Sequence, residues 1–139
     1  MHLVLQKRTD LALKALIELQ CAGGRVSGSA LARSVGTSSN YLPQVLNPML
    51  KAGWVSSDRG PSGGYTLSIP LEELSLLDLI ETYEGSLTAG GTCLLRGGPC
   101  PSDDRCPFHT AWSNVARAMT AELGARTVFE SVEARELST

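Results

Sequence analysis

Ser27-Gly-Ser-Ala-Leu-Ala-Arg-Ser-Val-Gly36-Thr-Ser-Ser-Asn40-Tyr-Leu-Pro-Gln-Val-Leu-Asn-Pro-Met-Leu50 is the stretch on which the fold turns. Ser27 can cap a short helix of about seven residues that Gly36 ends: a serine oxygen takes up a free first-turn N–H, and glycine accepts the left-handed backbone of a helix C-terminus. Thr37, Ser38 and Ser39 make a tight turn. With Asn40 as its cap, a further helix sets Tyr41, Leu42, Val45, Leu46, Met49 and Leu50 at spacings of three and four, an apolar stripe that Gly53 closes. Upstream, Asp10-Leu-Ala-Leu-Lys-Ala-Leu-Ile-Glu-Leu19 is polar only at Asp10, Lys14 and Glu18, one wet stripe on an otherwise buried helix. Thr9 is its expected cap, Gly23-Gly24 its stop, and Cys21 reads as a small core residue. Helix, short helix, turn, helix is the helix-turn-helix pattern.

Downstream of Gly53 the periodicity changes. Trp54-Val55-Ser56 and Tyr65-Thr66-Leu67-Ser68-Ile69 read as strands joined by the glycine-rich Asp58-Arg-Gly-Pro-Ser-Gly-Gly64, a hairpin that would form a wing. Leu71 to Tyr83 carries Leu74, Leu76, Leu77 and Ile80 at helical spacing, with Ser75 a possible internal cap. Residues 85–108 are a glycine-rich loop with three of the seven prolines and three of the four cysteines, so something other than an apolar core must hold it. His109 to Gly124, read as the last element, lines up Trp112, Val115, Ala116, Met119 and Leu123 on one helical face that asks for a second protomer. The predicted fold is mostly α (α+β): a winged helix-turn-helix with a two-stranded wing and a long C-terminal dimerisation helix. Residues 1–70 form the expected DNA-binding domain, and residues 71–139 the linker helix, cysteine loop and dimer helix.

At 139 residues the chain has room for one ordinary domain or a small domain with an appendage. Its 42% apolar and 19% charged residues exclude a disordered chain, and with 5% aromatics the core must be aliphatic. No apolar run suits a membrane span or a signal-peptide core, so the expected compartment is the cytoplasm and no membrane partner is expected. Net charge is only -2, yet residues 1–70 hold 7 basic and 3 acidic side chains while residues 71–139 hold 5 and 11. One half can therefore approach a polyanion and the other is repelled by it. No Walker, His-Glu-x-x-His or Gly-x-Ser-x-Gly motif occurs, which argues against an enzyme.

Two features carry chemistry. In a winged helix the second helix of the motif enters the major groove by its N-terminal residues, here Ser38, Ser39, Asn40, Tyr41 and Gln44. Hydroxyls suit phosphate, an amide such as Gln44 can pair with an adenine edge, and Arg59 at the wing tip, among Gly60, Ser62 and Gly63, suits a narrow minor groove. The bland alternative makes the first three turn and cap residues, and Arg59 a solvated loop charge. The second feature is Cys93-x6-Cys100-x5-Cys106, three residues before His109. An odd number of thiols in a reducing compartment points to metal or redox use. The spacing lacks the Cys-x2-Cys pairs of most zinc sites but suits a loop wrapped around an iron-sulfur cluster.

Thr9-Asp-Leu-Ala-Leu-Lys14, Ser39-Asn-Tyr-Leu42, Arg59-Gly-Pro-Ser-Gly-Gly-Tyr65, Ser75-Leu-Leu-Asp-Leu-Ile80 and Cys106-Pro-Phe-His-Thr-Ala-Trp112 together resemble the IscR/NsrR (Rrf-two type) family of bacterial transcription regulators. The resemblance implies a homodimer on double-stranded promoter DNA, acting as a repressor. It also implies an iron-sulfur cluster on Cys93, Cys100 and Cys106 that responds to iron-sulfur status, redox stress or nitric oxide. His109 stands where IscR-like members place a cluster histidine, favouring [2Fe-2S]; Asp10 matches the position from which NsrR-like members reach a [4Fe-4S] cluster. Two departures stand out: Pro43 and Pro48 in the recognition helix, the second expected to remove a backbone donor in mid-helix and bend it, and a first cysteine spacing one residue longer than usual. The alternatives from other classes are a small electron carrier and a regulator with structural zinc in a Cys3His site.

Overall fold

The computed structural model describes residues 3–87, 93, 95–96 and 98–137. Its elements run α1 (Lys7–Ala22), α2 (Gly28–Val35), α3 (Leu42–Ala52), β1 (Val55–Asp58), β2 (Gly64–Leu67), a 3-10 turn (Leu71–Glu73), α4 (Leu76–Glu84), α5 (His109–Gly124) and α6 (Phe129–Leu137). The strands pair antiparallel with Val55 opposite Leu67 and Asp58 opposite Gly64, as a two-stranded wing requires.

Local chemistry accounts for most boundaries. Ser27 accepts the Ala30 N–H at 3.2 Å to start α2, and Gly36, at φ 81°, ends it. Ser75 begins α4 with a full capping box, its hydroxyl on the Asp78 N–H and the Asp78 carboxylate on its own N–H. That cap interrupts the long helix expected from Leu71, leaving a 3-10 turn before it. Two caps fall elsewhere than expected. α1 starts after Gln6, and Thr9 lies inside it, fully buried, its hydroxyl facing the core instead of a first-turn N–H. α3 starts after Tyr41 because Ser38, not Asn40, takes the Tyr41 N–H, on its hydroxyl at 3.1 Å. Pro48 does not end α3, which continues through it to Ala52.

The core joins Leu11, Leu16 and Leu19 of α1, Leu31 of α2, Leu42, Leu46 and Met49 of α3 and Val55 of the wing with Leu71, Leu74 and Leu79 from beyond Pro70. It also contains Val128, just before α6, and Val132 within it, an element the sequence reading lacked. After α5 the chain turns back: Leu76 N–H donates to Arg126 O at 2.9 Å and Val128 N–H to Leu74 O at 2.8 Å, and α6 lies against α1, with Arg135 ion-paired to Glu18 at 2.5 Å. His109 to Gly124 is therefore not the last element. Cys21 corrects a second expectation, since it lies near the end of α1 on the solvent side and is exposed.

Candidate metal centre and nucleic-acid interface

The Sγ atoms of Cys93, Cys100 and Cys106 all lie within 4.8 Å of one another. Cys93 and Cys106 are buried, Cys100 half-buried, and the Cys93–Cys106 sulfur separation is 3.6 Å. The loop that gathers them is folded by polar contacts: Cys93 N–H donates to Gly98 O at 2.6 Å, and Arg96 holds Asp104 through both its carboxylate and its carbonyl, each at 3.0 Å. Leu95 N–H points at the Cys93 sulfur from 3.4 Å. The neighbouring Cys100 thiol, together with the Leu95 and Arg96 N–H groups, draws the Cys93 thiol down to about 7, against the opposing effect of burial. Burial, and then the adjacent Cys93, push Cys106 up instead. Such a site holds a thiolate near neutral pH, the form a metal binds.

This donor set fits a thiolate-bound metal group: three soft ligands from one loop, close enough to share it and free of disulfides. His109 begins α5 immediately beyond, and its N–H donates to Cys106 O at 3.1 Å, so the last cysteine and the helix start are joined through backbone. His109 is half-buried and does not belong to the set of mutually close donor atoms. Asp10 is outside that set too and pairs with Lys14 at 2.7 Å.

Most of the groups expected to meet DNA are exposed. Ser38, Ser39 and Asn40 form the turn into α3, Tyr41 is half-buried, and Gln44 lies exposed in the first turn of the helix. Arg59, Gly60 and Ser62 are exposed on the wing tip, and Gly63 is half-buried there. Gly63 and Gly64 serve the wing's own close packing, since a Cβ on them would meet Asp58 O at 2.2 Å and Val26 O at 2.3 Å. At Gly64 the reason is a contact that the sequence did not announce: Val26, between α1 and α2, exchanges two backbone hydrogen bonds with Tyr65, at 2.9 and 2.8 Å. Arg25 beside it pairs with Asp58 at 3.1 Å and donates to Ser62 O at 2.9 Å, bracing the wing tip. A polar cleft of about 480 Å³ separates the wing from the start of α2, lined by Ser27, Ser29, Ser57 and Arg59 among others.

The family model described as an iron-dependent transcriptional regulator, Rrf2, matches residues 5–134. The chain belongs to the Rrf2 family. It is 31% identical over 121 residues to the HTH-type transcriptional regulator IscR of Klebsiella pneumoniae, covering 87% of this chain and 73% of that one. It is 32% identical over 133 residues to Protein aau3 of Rhizobium meliloti, covering 94% and 86%. Among solved structures, T. potens IscR superposes with a TM-score of 0.76 at 25% identity over all of this chain and 93% of that chain. CymR of B. subtilis shares the fold, with a TM-score of 0.75 at 24% identity over 96% and 98%. The protein is an Rrf2-type transcription regulator with a winged-helix DNA-binding fold, not an enzyme, and its three clustered cysteines fit a cluster site. No described helix is long and apolar enough to cross a membrane.

Proposed function

We propose that this Rrf2 regulator is a cytoplasmic homodimeric repressor of promoter DNA whose affinity is set by a [2Fe-2S] cluster held by Cys93, Cys100, Cys106 and His109. The observation that carries the proposal is the convergence of three sulfurs within 4.8 Å in the loop between α4 and α5. Two thiolates on one metal atom, with bonds of about 2.3 Å, stand roughly 3.8 Å apart in tetrahedral geometry, close to the 3.6 Å between Cys93 and Cys106. A mixed cysteine and histidine donor set suits a [2Fe-2S] cluster, and His109, joined to Cys106 through backbone, is favoured as the fourth ligand over Asp10, which pairs with Lys14. When bound, the cluster supplies a centre that iron supply, oxidants or nitric oxide can alter. Residues 71–139 hold that centre and the dimer contact, and residues 1–70 carry the DNA-reading surface. Ser38, Ser39, Asn40, Tyr41 and Gln44 meet the major groove, and Arg59, Gly60, Ser62 and Gly63 the minor groove.

Homodimerisation rests on α5. Its stripe of Trp112, Val115, Ala116, Met119 and Leu123 includes no fully buried side chain, and Val115 is 48% exposed. Two copies of α5 packed on each other would hold the wings at DNA half-sites about one helical turn apart.

Anaerobic purification tests the proposal. Brown protein with iron and acid-labile sulfide, whose affinity for a duplex enriched from a random pool changes when the iron is chelated, is expected. Colourless protein that cannot be reconstituted, or equal affinity with and without iron, overturns it. The same 3.6 Å separation supports structural zinc on Cys93, Cys100, Cys106 and His109 as the second reading. A colourless protein with one tightly bound zinc per chain would establish that reading.

A further inference from the structure

Pro48 lies in mid-α3 and has no N–H, so the carbonyl four residues earlier, that of Gln44, loses its helical donor. A substitute donor occupies its place. Arg8, in the first turn of α1, directs its guanidinium at Gln44 O, with Nη2 at 2.6 Å and Nε at 3.2 Å. The next carbonyl, Val45 O, accepts the Tyr83 hydroxyl of α4 at 2.5 Å. The Arg8 guanidinium carbon sits 5.6 Å from the Tyr83 ring centroid, so arginine, tyrosine and two carbonyls make one bracket. Burial of the phenol keeps it protonated and donating.

The bracket grips the residue whose side-chain amide is assigned to the base edges. Gln44 N–H bonds to Tyr41 O at 3.0 Å on its other side, so the backbone pitch at Gln44 is set by the turn before it and by the donor after it. We infer that Arg8 and Tyr83 are positioning residues for DNA reading: Arg8 replaces the donor that Pro48 lacks, and the pair aims Gln44, so that sequence selection depends on them more than bulk DNA affinity does. The inference rests on the DNA-reading role of α3. It differs from a direct role for Arg8, since a cation contacting phosphate would add affinity for any duplex.

The test is a double-mutant cycle on two duplexes, one enriched from a random pool by the unaltered protein and one unrelated duplex of equal length. Arg8→Met should weaken binding to the enriched duplex about tenfold, as expected for losing a hydrogen bond to a charged donor, and binding to the unrelated duplex about twofold or less. Its salt dependence should stay unchanged, whereas loss of a phosphate contact would reduce the slope by about 0.9. Pro48→Ala returns an N–H to the Gln44 carbonyl, and in that background Arg8→Met should cost about twofold or less. Arg8→Lys should recover part of the loss. Tyr83→Phe, which removes one hydroxyl and keeps the ring, should weaken the enriched duplex about threefold and carries the test should Arg8→Met fail to fold. Equal Arg8→Met penalties with and without Pro48, or equal losses on both duplexes with a shallower salt slope, overturn the inference while leaving the DNA-reading role intact. If the unaltered protein enriches no duplex, that role falls and the inference falls with it.

Discussion

The winged half and the cysteine half are held together by different forces. Between α1 and the wing, the apolar residues of three helices and one strand close on each other, with Leu16, Leu31, Leu46 and Met49 wholly excluded from water. Between Gly85 and the end of α5 no comparable core exists among the described residues. The loop is folded by three thiols, the Arg96–Asp104 pair and a few backbone bonds, and α5 offers its stripe without a fully buried side chain. The first half is therefore specified within one chain, while the second leaves a thiol trio in the loop and the open face of α5 for the proposed metal group and second copy. Such a division suits a sensor, because a segment with little packing of its own can be ordered by a ligand without unfolding the reading head.

This contrast is breakable. The largest effect is expected in the head, where Leu16→Ala should cost about 2 to 5 kcal/mol by the loss of transfer energy and the cavity left behind, read as a lower denaturation midpoint with or without metal. Comparable damage from a substitution in residues 85–108 of the metal-free protein would erase the distinction. Cys106→Ser should remove most bound iron and sulfide yet leave the midpoint of the metal-free protein within about 1 kcal/mol of the parent, since the exchange is nearly isosteric and the loop has little apolar packing to lose. Val115→Asp, on the open face of α5, should shift the molecule from dimer to monomer in sedimentation and change the far-ultraviolet circular dichroism little. Ser75→Ala removes the hydroxyl half of the α4 capping box and should cost about 1 kcal/mol, measured by denaturation.

The smallest effect concerns Glu130. The Thr127 N–H at 2.7 Å, then the Arg126 guanidinium at 3.0 Å, hold its carboxyl below the usual carboxylate range. A carboxyl lowered in the folded state contributes stability above its unfolded value, and that contribution is lost as pH falls through its folded value. Glu130→Gln should therefore lower the melting temperature slightly at pH 7 and lose its effect at the acid end. An unchanged difference at every pH would show that the Glu130 charge adds nothing to the hold on α6.

Much of this architecture could be read along the chain because its signals are local. Ser27 with Gly36, Ser75 with Asp78, and the interval from His109 to Gly124 are each decided within a few residues by caps and periodicity. The miss at α6 had a readable sign, Thr127-Val-Phe-Glu130 followed by Val132, but its two buried valines make a weak stripe, and only α1 and the 3-10 turn give them something to cover. Cys21 was misplaced because its position late in α1 lies beyond the contacts that bury Leu16 and Leu19. Of the cysteine site, the three ligand candidates were visible as residue types, but their approach was not.

Sequence alone established the order of the elements as far as α5, the basic and acidic halves, the trio of thiols and the family resemblance, because propensity, capping and charge are properties of neighbouring residues. The tertiary structure decided which distant groups meet. The three sulfurs converge across a loop, Val26 pairs with Tyr65, α6 returns to α1, and Arg8 reaches the carbonyl that Pro48 leaves without a donor. None of these follows from local preference: burial of the common core brings Val26, α6 and Arg8 to their partners, and polar contacts within the loop gather the sulfurs.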